Sequence, residues 1–116
     1  TTIDKLAAVL ESKGMNVFGR VDHAANAEKV GLSLRPTQVL IFGNPMLGTP
    51  LMVAAQSAAM DLPQKMLAFQ DESGKVFLSW DDPHELKSRH GIEGCDEILQ
   101  KISGALANFA KAATSD

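Results

Sequence analysis

A chain of 116 residues in which 45% of side chains are hydrophobic and 22% charged has the balance of one globular domain large enough to fold without disulfide staples. Its one cysteine, Cys95, excludes an intrachain bridge, and a net charge of −3 with eleven scattered basic residues excludes the clustered Lys and Arg that nucleic-acid binding draws on. No segment approaches the roughly 20 apolar residues of a membrane helix, so no membrane span is expected.

Ile3, Leu6, Ala7 and Leu10 recur at helical spacing, with Thr2 placed to cap the start and Gly14 just past the end. Met15, Val17, Gly19, Val21 and His23 then alternate with Asn16, Phe18, Arg20 and Asp22, which predicts a strand whose buried face includes His23. Residues 24–30 read as a short helix closed by Gly31, and Arg35-Pro36 as an extended connector. Val39, Leu40, Ile41 and Phe42 are consecutive and apolar, the pattern of a central strand covered on both faces, ending at the turn signal Gly43-Asn44-Pro45.

An alanine-rich stretch predicts a helix over 49–60. Residues 66–70 and 76–80 are short apolar runs joined by Asp71-Glu72-Ser73-Gly74, the chemistry of an antiparallel hairpin. Asp82-Pro83-His84-Glu85 reads as a helix start in which Asp82 caps and Glu85 completes a capping box, with Gly91 as the stop. Ile98, Leu99, Ile102, Leu106, Phe109 and Ala110 form one stripe of a last helix that docks on the sheet. Local pairings without βα alternation predict an α+β fold, a two-layer sandwich with an antiparallel-rich sheet packed by helices on one face.

The residues able to carry chemistry are few. Asp81, Asp82, His84 and His90 fall within ten residues, but their spacing fits no zinc motif, so no metal is expected. The plain readings are a solvated first-turn His84 and a His90 whose charge suits a helix C-terminus. His23 either finishes a buried hydrogen bond or opens into a pocket. The segment from Gly43 to Pro50 could offer backbone N–H groups to an anion, although it has no phosphate-loop lysine and its prolines remove donors. Cys95 reads as structural, and Ser33, Ser57 and Ser79 lie in no G-x-S-x-G turn.

Arg20-Val21-Asp22-His23-Ala24-Ala25, Leu34-Arg35-Pro36-Thr37-Gln38-Val39, Phe42-Gly43-Asn44-Pro45, Gly48-Thr49-Pro50-Leu51-Met52, Asp61-Leu62-Pro63-Gln64-Lys65, Asp81-Asp82-Pro83 and Arg89-His90-Gly91 follow one another along nearly the whole chain. Together they resemble the bacterial family called domain of unknown function 302. The resemblance implies a TATA-binding-protein-like α+β fold, a homodimer, and a strand before the first helix that this sequence lacks. It names no particular reaction, and any cofactor is unknown. Asp81 stands where the family commonly has Asn, and Gln56 where it commonly has Pro.

The motif polar residues His23, Arg35, Asn44, Thr49, Asp61, Lys65, Asp81 and His90 are therefore the expected ligand-binding set, lining one cleft or a dimer seam. The leading expectation is a dimeric binding or accessory module for a small anionic ligand, attracted by Arg35, Lys65 and loop amides. The alternatives are an acid–base or metal-assisted hydrolase using His23 or His90 with Asp81 or Asp61, and a purely structural dimer. The compartment stays open between cytoplasm and, because the chain starts at Thr1 without Met, periplasm after signal cleavage.

Overall fold

The computed structural model describes residues 1–115. The chain runs α1 (Thr2–Ser12), β1 (Asn16–Asp22), α2 (His23–Lys29), β2 (Thr37–Gly43), α3 (Pro45–Ala54), a 3-10 turn (Gln56–Asp61), β3 (Gln64–Gln70), β4 (Val76–Ser79), α4 (Glu85–His90) and α5 (Asp96–Thr114). The four strands form one antiparallel sheet in the order β1-β2-β3-β4. This is the expected α+β arrangement. β1 is an edge, and no strand precedes α1 among the described residues.

Side-chain alternation decides which face of the sheet is dry. Leu40, Phe42, Met66 and Ala68 come from paired positions of β2 and β3 and are all buried. Against them lie Leu6 and Leu10 of α1 and Leu99, Ile102, Leu106 and Phe109 of α5, with the Phe109 ring edge-on to Phe42 at 6.3 Å. Burying each of these large side chains contributes about 1.5–3 kcal/mol, so the α5 stripe is the main clamp on the sheet. Arg20, also on that face, ties β1 to α1 by donating to Asp4 at 2.8 Å. Thr1 and Arg20 together hold the Asp4 carboxyl down at about 2.

Several expectations give way to the structure. Thr1, not Thr2, caps α1, its hydroxyl accepting from the Asp4 N–H. The expected double coverage of β2 is absent: Val39 and Ile41 point away from the buried face and are only half-buried. A bulge between Val17 and Gly19 shifts the register of β1, leaving Phe18 without a partner in the β2 ladder. His23 is not on a buried strand face, because Asp22 accepts from the Ala25 N–H and ends the strand there; His23 is the exposed first residue of α2. The strict period-two reading failed because it could not register the bulge or the cap.

The helix expected over 49–60 begins instead at Pro45 and stops at Ala54, followed by the 3-10 turn. Asn44 is its cap and Pro45 its first residue, which suits a proline lacking an N–H. α4 starts at Glu85, with Asp82 accepting from the His84 N–H in the turn before it, while Glu85 pairs with Arg89 instead of closing a capping box. Gly91 ends α4 at φ 67°, as its position suggested. The hairpin of β3 and β4 forms in the expected antiparallel sense.

Candidate functional site

A concavity lies where the bulge of β1, the end of β2, the start of α3 and α5 meet. It is a partly open cavity of about 290 Å³ lined by Met15, Phe18, Gly43, Asn44, Pro45, Leu47, Gly48, Thr49, Met52, Leu62, Pro63, Gln64, Ile102, Ala105, Leu106 and Phe109. No ionisable side chain is among these residues. Gly43 matters to its shape: a Cβ there would sit 3.4 Å from the Pro63 Cβ and 3.5 Å from the Phe18 ring. Met15 and Met52 supply flexible, polarisable wall.

Asn44 and Thr49, two of the residues expected to bind ligand, line this cavity. The segment 43–50, which could have offered amides to an anion, forms no open loop: Gly43 ends β2, Asn44 caps α3 and the helix begins at Pro45. The Asn44 side chain accepts from the Met46 N–H at 3.0 Å, and the Asn44 carbonyl accepts from the Leu47 and Gly48 N–H groups at 2.9 Å. The amides that would have received an anion are already engaged.

A second cluster is polar. His90, the last residue of α4, has its Nε2 at 2.5 Å from the Asp61 carboxylate at the end of the 3-10 turn, and Arg89 approaches the same oxygen at 3.2 Å. On the other side of the ring, Nδ1 lies 3.0 Å from the Ser57 hydroxyl. The His90 side chain retains 10% of its exposure and Asp61 27%, so the pair is largely sheltered. The bond to His90, then the guanidinium of Arg89, hold the Asp61 carboxyl below the usual carboxylate range, and Asp61 in turn raises Arg89. Serine, histidine and aspartate thus stand in one hydrogen-bonded chain, which the spacing of Ser57, Asp61 and His90 alone did not reveal.

Beside this cluster is a small cleft of about 30 Å³ lined by Asp61, Gln64, Lys65, Asp81, Asp82, Pro83, Glu85, Leu86 and Arg89. It is about a tenth the size of the apolar cavity. Four carboxylates face two cations there, which disfavours an anionic guest. Among the described residues, no three His, Cys, Asp or Glu side chains gather as a metal-ligand set.

The eight expected residues therefore do not converge on one cleft of the chain. Asp61 and His90 touch; Asp61, Lys65 and Asp81 border the small cleft; Asn44 and Thr49 border the apolar cavity. His23 is exposed at the start of α2, and Arg35 is exposed in the connector, its Nε donating to the Gln70 carbonyl at 3.3 Å. Sequence reasoning missed Phe18, Leu47, Met52 and Ala105, whose apolar character reads as ordinary core; it set Ser57 aside for want of a G-x-S-x-G turn and gave Arg89, within a family motif, no role.

Over 113 residues the chain is 50% identical to the Fluoride-specific ion channel FluC 1 of Brucella suis biovar 1, a match that covers 94% of this chain and 44% of that protein. It is equally identical, over the same number of residues, to the Fluoride-specific ion channel FluC 2 of Brucella melitensis biotype 1, of which 42% is covered. The chain thus spans less than half the length of these relatives. Among solved structures, an uncharacterized conserved protein DUF302 from Bacillus stearothermophilus superposes with a TM-score of 0.85 at 21% identity, over 97% of this chain and 88% of that one, a likeness of fold. The family model described as domain of unknown function DUF302 matches residues 1–109, and on that match the chain belongs to the DUF302 family.

Proposed function

We propose that this chain is an accessory binding domain whose site is the apolar cavity and whose ligand is a small, uncharged, largely apolar molecule. The observation that carries the reading is a cavity of about 290 Å³ with no ionisable side chain in its wall. A charged ligand entering such a wall would lose its hydration without a counter-charge, whereas an apolar one gains by leaving water. This revises the anionic ligand expected from Arg35 and Lys65, which lie outside the cavity.

The accessory part of the proposal draws on the Brucella relatives. In them, sequence like this chain makes up less than half of a protein named as a fluoride channel. No helix among the described residues is long and apolar enough to cross a membrane, so in those proteins helical spans would belong to the remaining length. The homodimer is part of the same proposal. Val21, Val39, Ile41, Leu67 and Phe69 lie on the sheet face turned away from α5 and are only half-buried, a surface suited to a second copy.

The test is binding of the neutral fluorophore N-phenylnaphthylamine. Saturable enhancement of its emission is expected with the wild-type chain, and it is lost in Ala105→Phe and in Gly48→Leu, which fill the cavity from opposite walls. Gly48 has no atom within 4 Å of the position a Cβ would take, so the second variant is expected to fold. Saturable binding that persists in both variants overturns the assignment.

A second reading, an acid–base hydrolase, is favoured by the Ser57–His90–Asp61 chain of hydrogen bonds. Against it, Ser57 lies outside both concavities, and Arg89 already engages the Asp61 carboxylate. Covalent labelling of Ser57 by a fluorophosphonate, abolished in His90→Gln, would support this reading.

A further inference from the structure

Three uncharged polar side chains interrupt the apolar wall of the cavity: Asn44 at the cap of α3, Thr49 one turn further along, and Gln64 at the first position of β3. Among the described residues the Asn44 Nδ2, the Thr49 hydroxyl and the Gln64 side-chain amide form no hydrogen bond to protein, and none of them is buried without a partner. They are donors at the border of the cavity, where polar surface is a minor part of the wall, and Gln64 borders the small polar cleft as well. The rest of the wall is aliphatic or aromatic, apart from backbone.

Resting on the reading of this cavity as a binding site, we infer that its ligand is an amphiphile with an apolar body and an uncharged, hydrogen-bond-accepting head: an alcohol, ester or amide, not a carboxylate or an ammonium. The body occupies the wall formed by Phe18, Leu47, Met52 and Leu106. The head meets the donors of Asn44, Thr49 and Gln64. A neutral head suits this wall for two reasons. Amide and hydroxyl groups satisfy a carbonyl or hydroxyl oxygen with ordinary hydrogen bonds. They also provide no counter-charge to offset the dehydration of an ionised head. Sites built to hydrogen-bond a polar group discriminate strongly against analogues lacking it, because their own donors are then left unpaired.

The experiment is displacement of N-phenylnaphthylamine at pH 7 by octanol, octanoate, octylammonium and octane, on the wild-type chain and on Thr49→Val and Gln64→Met. Octanol is expected to displace the fluorophore at a concentration at least tenfold lower than either charged analogue. The preference for octanol over octane is expected to narrow at least threefold in each variant, since each removes one head-group donor while keeping the wall's shape. Octanoate or octylammonium competing as well as octanol overturns the neutral head. An octanol-to-octane ratio unchanged in both variants overturns the assigned donors. If the fluorophore itself never binds saturably, it is the cavity reading beneath this inference that fails, and the two failures are thereby told apart.

Discussion

The Asp61 carboxylate is where single-residue chemistry is most concentrated, since it receives both His90 and Arg89 while resting at the end of the 3-10 turn. Its folded-state pKa lies below the unfolded value of 3.8, so its contribution to stability is fully present above that value and is lost as pH falls through the folded pKa. The melting temperature of Asp61→Asn should therefore lie below wild type at pH 7, and the gap should close in the acid range below pH 3.8. Thermal melts by circular dichroism across pH 2–7 read this directly. A gap of constant size would mean that the charge of Asp61 contributes nothing.

In the fold His90 touches Asp61, whereas the family resemblance marked His23 or His90 with Asp81 or Asp61. The resemblance could not separate His90 from His23. The difference arises from burial and neighbours: His90 ends a helix that packs beside the 3-10 turn, while His23 starts a helix with no buried residue.

Among the elements, α3 departs furthest from its sequence reading, and its cap is the reason. Alanine content points to 49–60, but the helix is nucleated upstream by Asn44 and by Pro45 at its first position. Asn44→Ala is expected to cost about 1 kcal/mol, in the usual range for a lost N-cap, read as a shift in the urea midpoint with unchanged slope. Since Asn44 also borders the cavity, the same substitution should weaken N-phenylnaphthylamine binding, whereas a cap remote from the cavity, Thr1→Ala at α1, should not.

Element boundaries set by glycine in the left-handed region, such as Gly31 and Gly91, were legible in advance because the requirement is local to one residue. The bulge in β1 was not. A bulge changes which residues face the core without changing the apolar pattern, and here it places Phe18 in the cavity wall while leaving 57% of it exposed.

For the molecule as a whole, the open sheet face is the feature with the largest consequence for assembly. It stacks Phe69 on Phe77 at 5.4 Å and carries Val39 and Ile41 in the middle of the sheet. If a second copy covers it, wild-type protein should run as a dimer in light scattering, and Ile41→Lys, which puts a charge at the centre of that face, should run as a monomer with native helical content. A monomeric wild type at micromolar concentration would refute the homodimer. A dimer insensitive to Ile41→Lys would move the interface elsewhere.

By itself the amino-acid sequence determined the class of fold, the long amphipathic α5 and its docking stripe, the β3–β4 hairpin and most helix stops. Each of these follows from spacing or from one residue's backbone preference, interactions that operate within a few positions of the chain. Only the tertiary structure decided which face of β2 is dry, that Ser57, His90 and Asp61 join in one chain, and that an apolar cavity opens between β1, α3 and α5. Those features depend on contacts between segments distant in the chain, such as Met15 and Phe109 in one wall, and on a bulge and a helix cap that shift register before packing begins. An apolar residue lining a cavity and one filling a core are the same letter, and packing alone separates them.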